Sequence, residues 1–351
     1  MSILGCKSGQ DALTVLVGTY TDTDSRGLYS FSFNPATGDS SPLAVTDIPN
    51  PSFLTVPPDH KTMYAVTEQQ VEAAVSAFDF DPVKGTLDFR NRQYTHGRGT
   101  CHVTFVGKDV VATNYSSGSM TVFPLDDKGN LEEGTLLEFF ESGPNEVRQA
   151  GSHIHSSQVS PDRKWLFVID LGGDYIYRYP VAKGKVTSFE PVKIKVPAGE
   201  GPRHFDFSKD GRFMYLLTEL GGRVLVYEYA GGDLKPIQQI EADPLHTAGS
   251  ADIHFSPDGK FLYASNRLEG DGLAIFRQDP STGLLEYAGY QYTAVHPRNF
   301  AVTPDGKFVL VACRDGNVVQ VFKRDVKTGL LKDTGKDIKV SHPVCVLTVA
   351  L

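Results

Sequence analysis

The segment "GPRHFDFSKDGRFMYLLTE" at 201–219 returns, lightly rewritten, as "HPRNFAVTPDGKFVLVACR" at 296–314. Each copy holds Pro-Arg, an alternating run, Asp-Gly-Arg/Lys and an apolar run that ends on a charged residue. With the Asp of that turn as phase marker, Asp59, Asp162, Asp210, Asp258 and Asp305 align, each followed five residues later by Tyr64, Phe167, Tyr215, Tyr263 or Leu310. The units begin eight residues before the marker, at Pro51, Ile154, Pro202, Ser250 and Pro297. A less regular unit starts near Cys101, and a last strand, "PVCVLTVAL", starts at Pro343. The spacing of about 45–50 residues is that of propeller blades.

Within a unit the pattern reads strand, turn, strand, turn, strand. In "ADIHFSPDGKFLYASNRLEGDGLAIFRQD", Ile253 and Phe255 alternate, Asp258-Gly259 turns the chain, Phe261 to Ser265 is a buried run, and Leu273 to Phe276 is a third strand. A second turn recurs as "NPATG" at 34–38, "DPVKGTL" at 81–87, "DPSTGLL" at 279–285 and "DVKTGLL" at 325–331, and a fourth strand follows it. Pro and Asp shape the entry of such a turn, and Gly supplies positive φ at its exit. Four strands per unit without helical periodicity predict an all-β chain of four-stranded antiparallel blades.

The ends complete the count. Residues 13–43 begin three strands ("TVLVGTY", "GLYSFSFN", "PLAVTDI") with no first one, and the C-terminal "PVCVLTVAL" is a first strand with nothing after it. Joined, they make one blade, and six lie between. The expectation is a seven-bladed β-propeller closed by pairing of its two ends, which removes the open sheet edge. A tail over 1–12 then precedes a single propeller domain over 13–351.

Composition bounds the function. The chain has 351 residues, 40% hydrophobic, with a net charge of −8. An acidic balance argues against a broad nucleic-acid footprint. No apolar run reaches the roughly 18 residues of a membrane helix. Cys6, Cys101, Cys313 and Cys345 form no CxxC pair and read as free thiols of a reducing compartment, so the cytoplasm is the expected location. One alternative exists: "ILGC" at 3–6 matches the end of a lipoprotein signal, and a longer precursor would make Cys6 a lipid anchor.

In a propeller the first strands line the central channel. The position after each unit start holds Ser52, His155, Arg203, Ala251, Arg298 and Val344, and the next holds Ser156, His204, Asp252 and Asn299. Nine residues after the phase Asp come Glu68, Leu171, Glu219, Arg267 and Arg314. First strands start where second strands end, so His155, Arg203, Glu219, Arg267 and Arg298 are expected at one channel mouth. Several arginines there repel one another unless an anion sits among them. A bland structural role suits other residues: His254 and Asp206 as inter-blade ties, Glu68 with Arg314 as a rim ion pair. The P-loop, Gly-x-Ser-x-Gly, His-Glu-x-x-His and Cys-x-x-Cys signatures do not occur, "HGRGTCH" at 96–102 lacks dinucleotide spacing, and no spacing demands a metal from His153, His155 and Glu219.

The blocks "HSSQVSPDRKWLFV", "GEGPRHFDFSKDGRFMYLLTEL", "ADIHFSPDGKFLYASNR" and "HPRNFAVTPDGKF" resemble the lactonase family of seven-bladed propellers, which includes propeller-type 6-phosphogluconolactonases and carboxy-cis,cis-muconate lactonizing enzymes. The resemblance implies lactone chemistry without a cofactor, on a small anionic substrate. It places His155, Arg203, Glu219 and Arg267 as catalytic groups, because the His, Arg, acid and Arg of the family's blocks match them. Arg298, His204, Asp252 and Arg314 are the expected substrate-binding residues. Hydrolysis of 6-phosphogluconolactone is the leading expectation. A muconate-type cycloisomerase and a non-enzymatic anion- or protein-binding propeller are the alternatives.

Overall fold

The repeated turn shows why the chain doubles back where it does. In the computed structural model, which describes residues 12–351, the hydroxyl of Ser256 donates to Asp258 Oδ1 at 2.6 Å and accepts from the Phe261 amide at 3.1 Å. Ser208 with Asp210 and Thr303 with Asp305 repeat the arrangement. The residue after the Asp takes positive φ, at +70°, +74° and +71° for Gly211, Gly259 and Gly306. Here glycine avoids the Cβ clash of left-handed backbone.

Seven antiparallel sheets form a ring. We number the blades by their innermost strands in chain order: Leu54–Thr55, Thr100–Phe105, Ile154–Val159, Pro202–Phe207, Ser250–Phe255, Pro297–Val302 and Pro343–Ala350. The seventh takes its other three strands from the N-terminal side, Leu13–Thr19, Gly27–Phe33 and Ser40–Asp47. Leu13 pairs with Ala350 and Gly18 with Cys345, so the two ends of the described chain close the ring, as the strand count required. The fourth strands of blades 3 and 6 are broken, and a short 3-10 turn at Leu268–Gly270 is the helical piece of blade 5.

Neighbouring blades pack face to face through apolar clusters. Between blades 4 and 5, Tyr215, Leu217, Val226, Ile253, Leu262 and Phe276 form one. The aromatic five residues after the phase Asp also makes a polar tie. Tyr64 Oη donates to the Gly129 carbonyl at 2.8 Å, Tyr215 to Gly283 at 2.7 Å and Tyr263 to Gly329 at 2.7 Å, each time on the second turn of the next blade. The repeat therefore satisfies a buried hydroxyl and sets the spacing between blades. Cys101, Cys313 and Cys345 are buried free thiols. Cys6 and the "ILGC" reading lie outside the described residues. No helix among the described residues is long and apolar enough to cross a membrane.

Candidate active site

One irregularity, repeated around the ring, builds the mouth of the channel. The register between first and second strands jumps at Thr100/His102, Ile154/Ser156, Pro202/His204, Pro297/Asn299 and Pro343/Cys345, leaving Cys101, His155, Arg203, Arg298 and Val344 each as an extra residue, and in blade 5 the jump from Ser250 to Ile253 passes over two residues. Such a bulge breaks the ladder locally and re-aims a side chain. Five blades thus bring one residue each to a common space at the mouth, four of them polar or ionisable. The second strands deliver their last residue to the same end, with the Glu219 amide on the Gly201 carbonyl at 2.7 Å and the Arg267 amide on that of Gly249 at 3.1 Å.

Glu219 sits among the arginines. Its Oε2 lies 2.9 Å from Arg203 Nε and 3.2 Å from Arg267 Nη2, and its Oε1 lies 2.5 Å from Arg148 Nη2. The Arg203 contact is a close ion pair whose angle is too bent for a hydrogen bond. Burial alone disfavours the carboxylate, but Arg267, Arg203 and Arg148 outweigh it and hold Glu219 at about 2. Carbonyls fix the guanidinium groups further: Arg203 Nη1 donates to Ala251, and Arg267 Nε donates to Gly249 at 2.9 Å.

Arg298 differs from these three. Among the described residues it has no carboxylate within ion-pair distance, and its guanidinium carbon lies 5.5 Å from the centre of the Tyr20 ring. Tyr20 Oη in turn donates to Glu68 Oε2 at 3.0 Å. His155 is 5% exposed, and burial, with Arg203 and His204 next, drives its pKa well below the usual histidine range. The imidazole is therefore neutral at pH 7. Burial pushes the Cys101 thiol up to about 12, which removes it as a nucleophile.

His155, Arg203, Glu219, Arg267 and Arg298 thus share one mouth. The other expected residues are engaged by partners within the protein. His204 and Asp252 sit one layer deeper as parts of an inter-blade tie, where His204 Nδ1 meets Asp252 Oδ1 at 2.8 Å. Asp252 Oδ2 meets His254 Nε2 at 3.0 Å and accepts from Asn299 Nδ2 at 2.6 Å and the Phe300 amide at 3.2 Å. An acid with four such partners has little capacity left for a substrate. Burial works against the His254 cation, yet Asp252 and Asp206 raise it to about 9. Asp206 bridges the same blades by accepting from the Phe255 amide at 2.9 Å. Arg314 stands at the rim in a two-pronged bond to its neighbour Asp315, at 2.6 and 2.9 Å, and not with Glu68. His153 is held by the Tyr115 carbonyl at 2.9 Å and stacks on that ring.

Arg148, Tyr20 and Glu68 complete the mouth, the first two without a clear signal in the sequence. Arg148 comes from the irregular segment between blades 2 and 3, which carries no repeat phase, and Tyr20 follows a strand completed by the far end of the chain. Glu68 had a phase signal, at the same offset as Glu219, but its partner came from Tyr20. A cavity of about 430 Å³ opens at the other end of the channel, lined by Phe53, Phe105, Gln158, Asp206 and His254. It lacks the arginines.

A propeller whose mouth gathers four guanidinium groups, two carboxylates and a neutral imidazole defines a class of protein that binds small anions and can polarise a carbonyl. The chain belongs to the lactonase family: the family model described as "Lactonase, 7-bladed beta-propeller" matches residues 14–348. A 6-phosphogluconolactonase of Formosa agariphila is 37% identical over 319 residues, covering 86% of this chain and 90% of its own. A solved structure from Bacteroides fragilis, provisionally named a 6-phosphogluconolactonase, is 48% identical with a TM-score of 0.94, covering 97% of this chain and 98% of its own. The Pseudomonas aeruginosa periplasmic gluconolactonase is 32% identical with a TM-score of 0.90, covering 97% and 99%.

Proposed function

We propose that the protein hydrolyses 6-phosphogluconolactone to the open acid at the arginine-rich mouth. The observation that carries this reading is Arg298, a cation with no carboxylate within ion-pair distance among the described residues, beside a cluster in which Glu219 already neutralises part of the charge of Arg148, Arg203 and Arg267. The names of the relatives speak for opening a lactone and not for a muconate cyclisation.

In this reading Arg298 receives the phosphate by charge-assisted hydrogen bonds. Arg203 faces the lactone carbonyl, where a well-placed donor lowers the barrier by roughly 3–4 kcal/mol. His155 is the base. It takes a proton from the attacking water as the water oxygen bonds to the carbonyl carbon. When the tetrahedral adduct collapses, the ring oxygen leaves and takes that proton back. Glu219 is poorly suited to this step, since both its oxygens are already engaged by the guanidinium groups of Arg148, Arg203 and Arg267. It serves instead to space and orient the guanidinium groups.

The test is acid release from fresh 6-phosphogluconolactone, with Arg203→Ala and His155→Gln beside the wild type. Each substitution should lower the rate at least tenfold. Wild-type rates in both variants would place the chemistry elsewhere. For location the cytoplasm remains our reading, on the free thiols Cys101, Cys313 and Cys345. Fractionation of the native host with an antibody to the protein checks it, the periplasmic relative naming the contrary outcome.

A further inference from the structure

Below the arginines, on the channel axis, lies a small space of about 10 Å³, lined by Ser52, Cys101, His155, Arg203, His204 and Arg298 among others. Four polar atoms of this lining are buried without a hydrogen-bond partner among the described residues; Arg203 Nε has its ion pair with Glu219, and Ser52 Oγ, His155 Nδ1 and His204 Nε2 have neither bond nor ion pair. Buried polar atoms left unpaired are expensive, and three of them around one space are not explained by packing. The two imidazole rings are near enough for a bridge, with centres 5.1 Å apart and planes at 70°. A space of about 10–15 Å³ with two to four polar partners is what one ordered water needs.

We propose that a single water bound between Ser52, His155 and His204 couples His155 to the inter-blade acid Asp252, and that Ser52 and His204 are positioning residues for the base. This rests on His155 being the base. The donor count makes the bridge directional at His204. Asp252 accepts at His204 Nδ1, so that nitrogen carries the hydrogen and His204 Nε2 is a free acceptor. The water therefore donates to His204 Nε2; at His155 it can donate to a bare Nδ1 or accept from Nδ1–H, and the bridge takes the second arrangement, with Ser52 Oγ accepting the water's other hydrogen. That assigns the hydrogen of neutral His155 to Nδ1 and leaves Nε2 with the lone pair that takes the proton. The logic matches that of an acid orienting a catalytic histidine, with one water and a second imidazole interposed.

Other groups around the chain do not supply this link. His155 is faced by the cations Arg203, Arg298 and Arg267 as well as by His204, and the Tyr115 ring lies 5.5 Å away. None of these, apart from neutral His204, offers an acceptor for Nδ1–H. His204 is faced by Arg203, Asp252, His254 and His102. Burial and Arg203 bring it down to about 4 despite Asp252, so it is a neutral acceptor at pH 7.

The experiment is ¹⁵N NMR of histidine-labelled protein, with His155 assigned by its loss in His155→Gln, beside steady-state kinetics on 6-phosphogluconolactone. In the wild type His155 should show the Nδ1–H tautomer. Ser52→Ala and His204→Gln should shift it toward Nε2–H and lower kcat about tenfold, with KM changed less than about twofold. Ser52→Ala removes one oxygen and leaves the tie to Asp252 intact, so it reads the bridge even if His204→Gln folds poorly. An Nε2–H tautomer in the wild type, or a tautomer unmoved in Ser52→Ala, overturns the proposal. Full activity in His155→Gln overturns the base reading itself, and that result is separate from the tautomer assignment.

Discussion

Replacing Glu219 by Gln tests whether one carboxylate organises the arginine cluster. The acid is held at about 2 against an ordinary 4.5, and it is 6% exposed, so solvent screening takes little from the interaction. That displacement corresponds to about 3 kcal/mol of stability at pH 7. A depressed carboxyl stabilises the fold above the unfolded-state value and loses that contribution as pH falls through the folded value. Of the roughly 3 kcal/mol, about 2 should be gone by pH 3. Structure gives an independent figure. Glu219→Gln leaves the side chains of Arg203 and Arg267, 2% and 9% exposed, without their anion. Breaking a buried pair in this way costs about 3–5 kcal/mol. Arg148, at 37% exposed, adds little to it. Urea unfolding of wild type and variant should therefore show a gap near 3 kcal/mol at pH 7 that narrows to about 1 at pH 3. The rate of lactone hydrolysis should fall at least tenfold, since the guanidinium groups lose their common anchor. A gap below about 1 kcal/mol at pH 7, or one that does not change with pH, would refute the view that Glu219 holds the cluster as an ion.

The neutral state of His155 predicts a pH profile: because burial and Arg203 depress it, the acidic limb of kcat/KM should lie below 6.5, and a midpoint at or above that value would contradict the assignment. Arg298→Ala should raise KM for the phosphorylated lactone at least tenfold, about 1.4 kcal/mol, and change the unphosphorylated lactone far less; equal effects on both would remove Arg298 as the phosphate anchor. Asp252→Asn should lower stability by about 3 kcal/mol, through its ties to His204 and His254, with KM little changed; a raised KM at unchanged stability would return Asp252 to the substrate site. Deleting 343–351 should abolish cooperative unfolding, because it exposes the buried strand Leu13–Thr19; a thermal transition at the wild-type midpoint would show that ring closure is dispensable.

The ring was legible because its signals are local and repeated. The turn takes positive φ at the residue after the Asp, and the Asp with the aromatic or apolar residue five places on leaves a mark at fixed spacing. The mouth was legible only where its residues share that phase. His155, Arg203 and Arg298 stand one place after the unit start, and Glu219 and Arg267 nine places after the Asp. Arg148 has no phase, and its role depends on where an irregular segment happens to cross the mouth. His204 and Asp252 carry a phase signal, but not the partners they meet: the bulge at Arg203 separates it from His204, and Asp252 is held by groups from two other blades. Sequence gives the types of such groups and not their pairing.

The bulge links the fold to the chemistry. A regular first strand alternates its side chains between its two faces, so consecutive positions do not converge on the axis. An extra residue at the strand start breaks this alternation where the ladder is already ending and its hydrogen bonds are cheapest to lose. Repeated in five blades, the irregularity brings Cys101, His155, Arg203, Arg298 and Val344 around one axis without disturbing the inter-blade packing beneath. The cluster then needs an anion, and the second strand of blade 4 supplies Glu219 from the adjacent position. Substituting within this set can therefore retune the site while the turns and tyrosine ties that hold the blades stay as they are. Changes in the layer of His204, Asp252 and His254 act on both, because that layer is at once the floor of the site and the tie between blades.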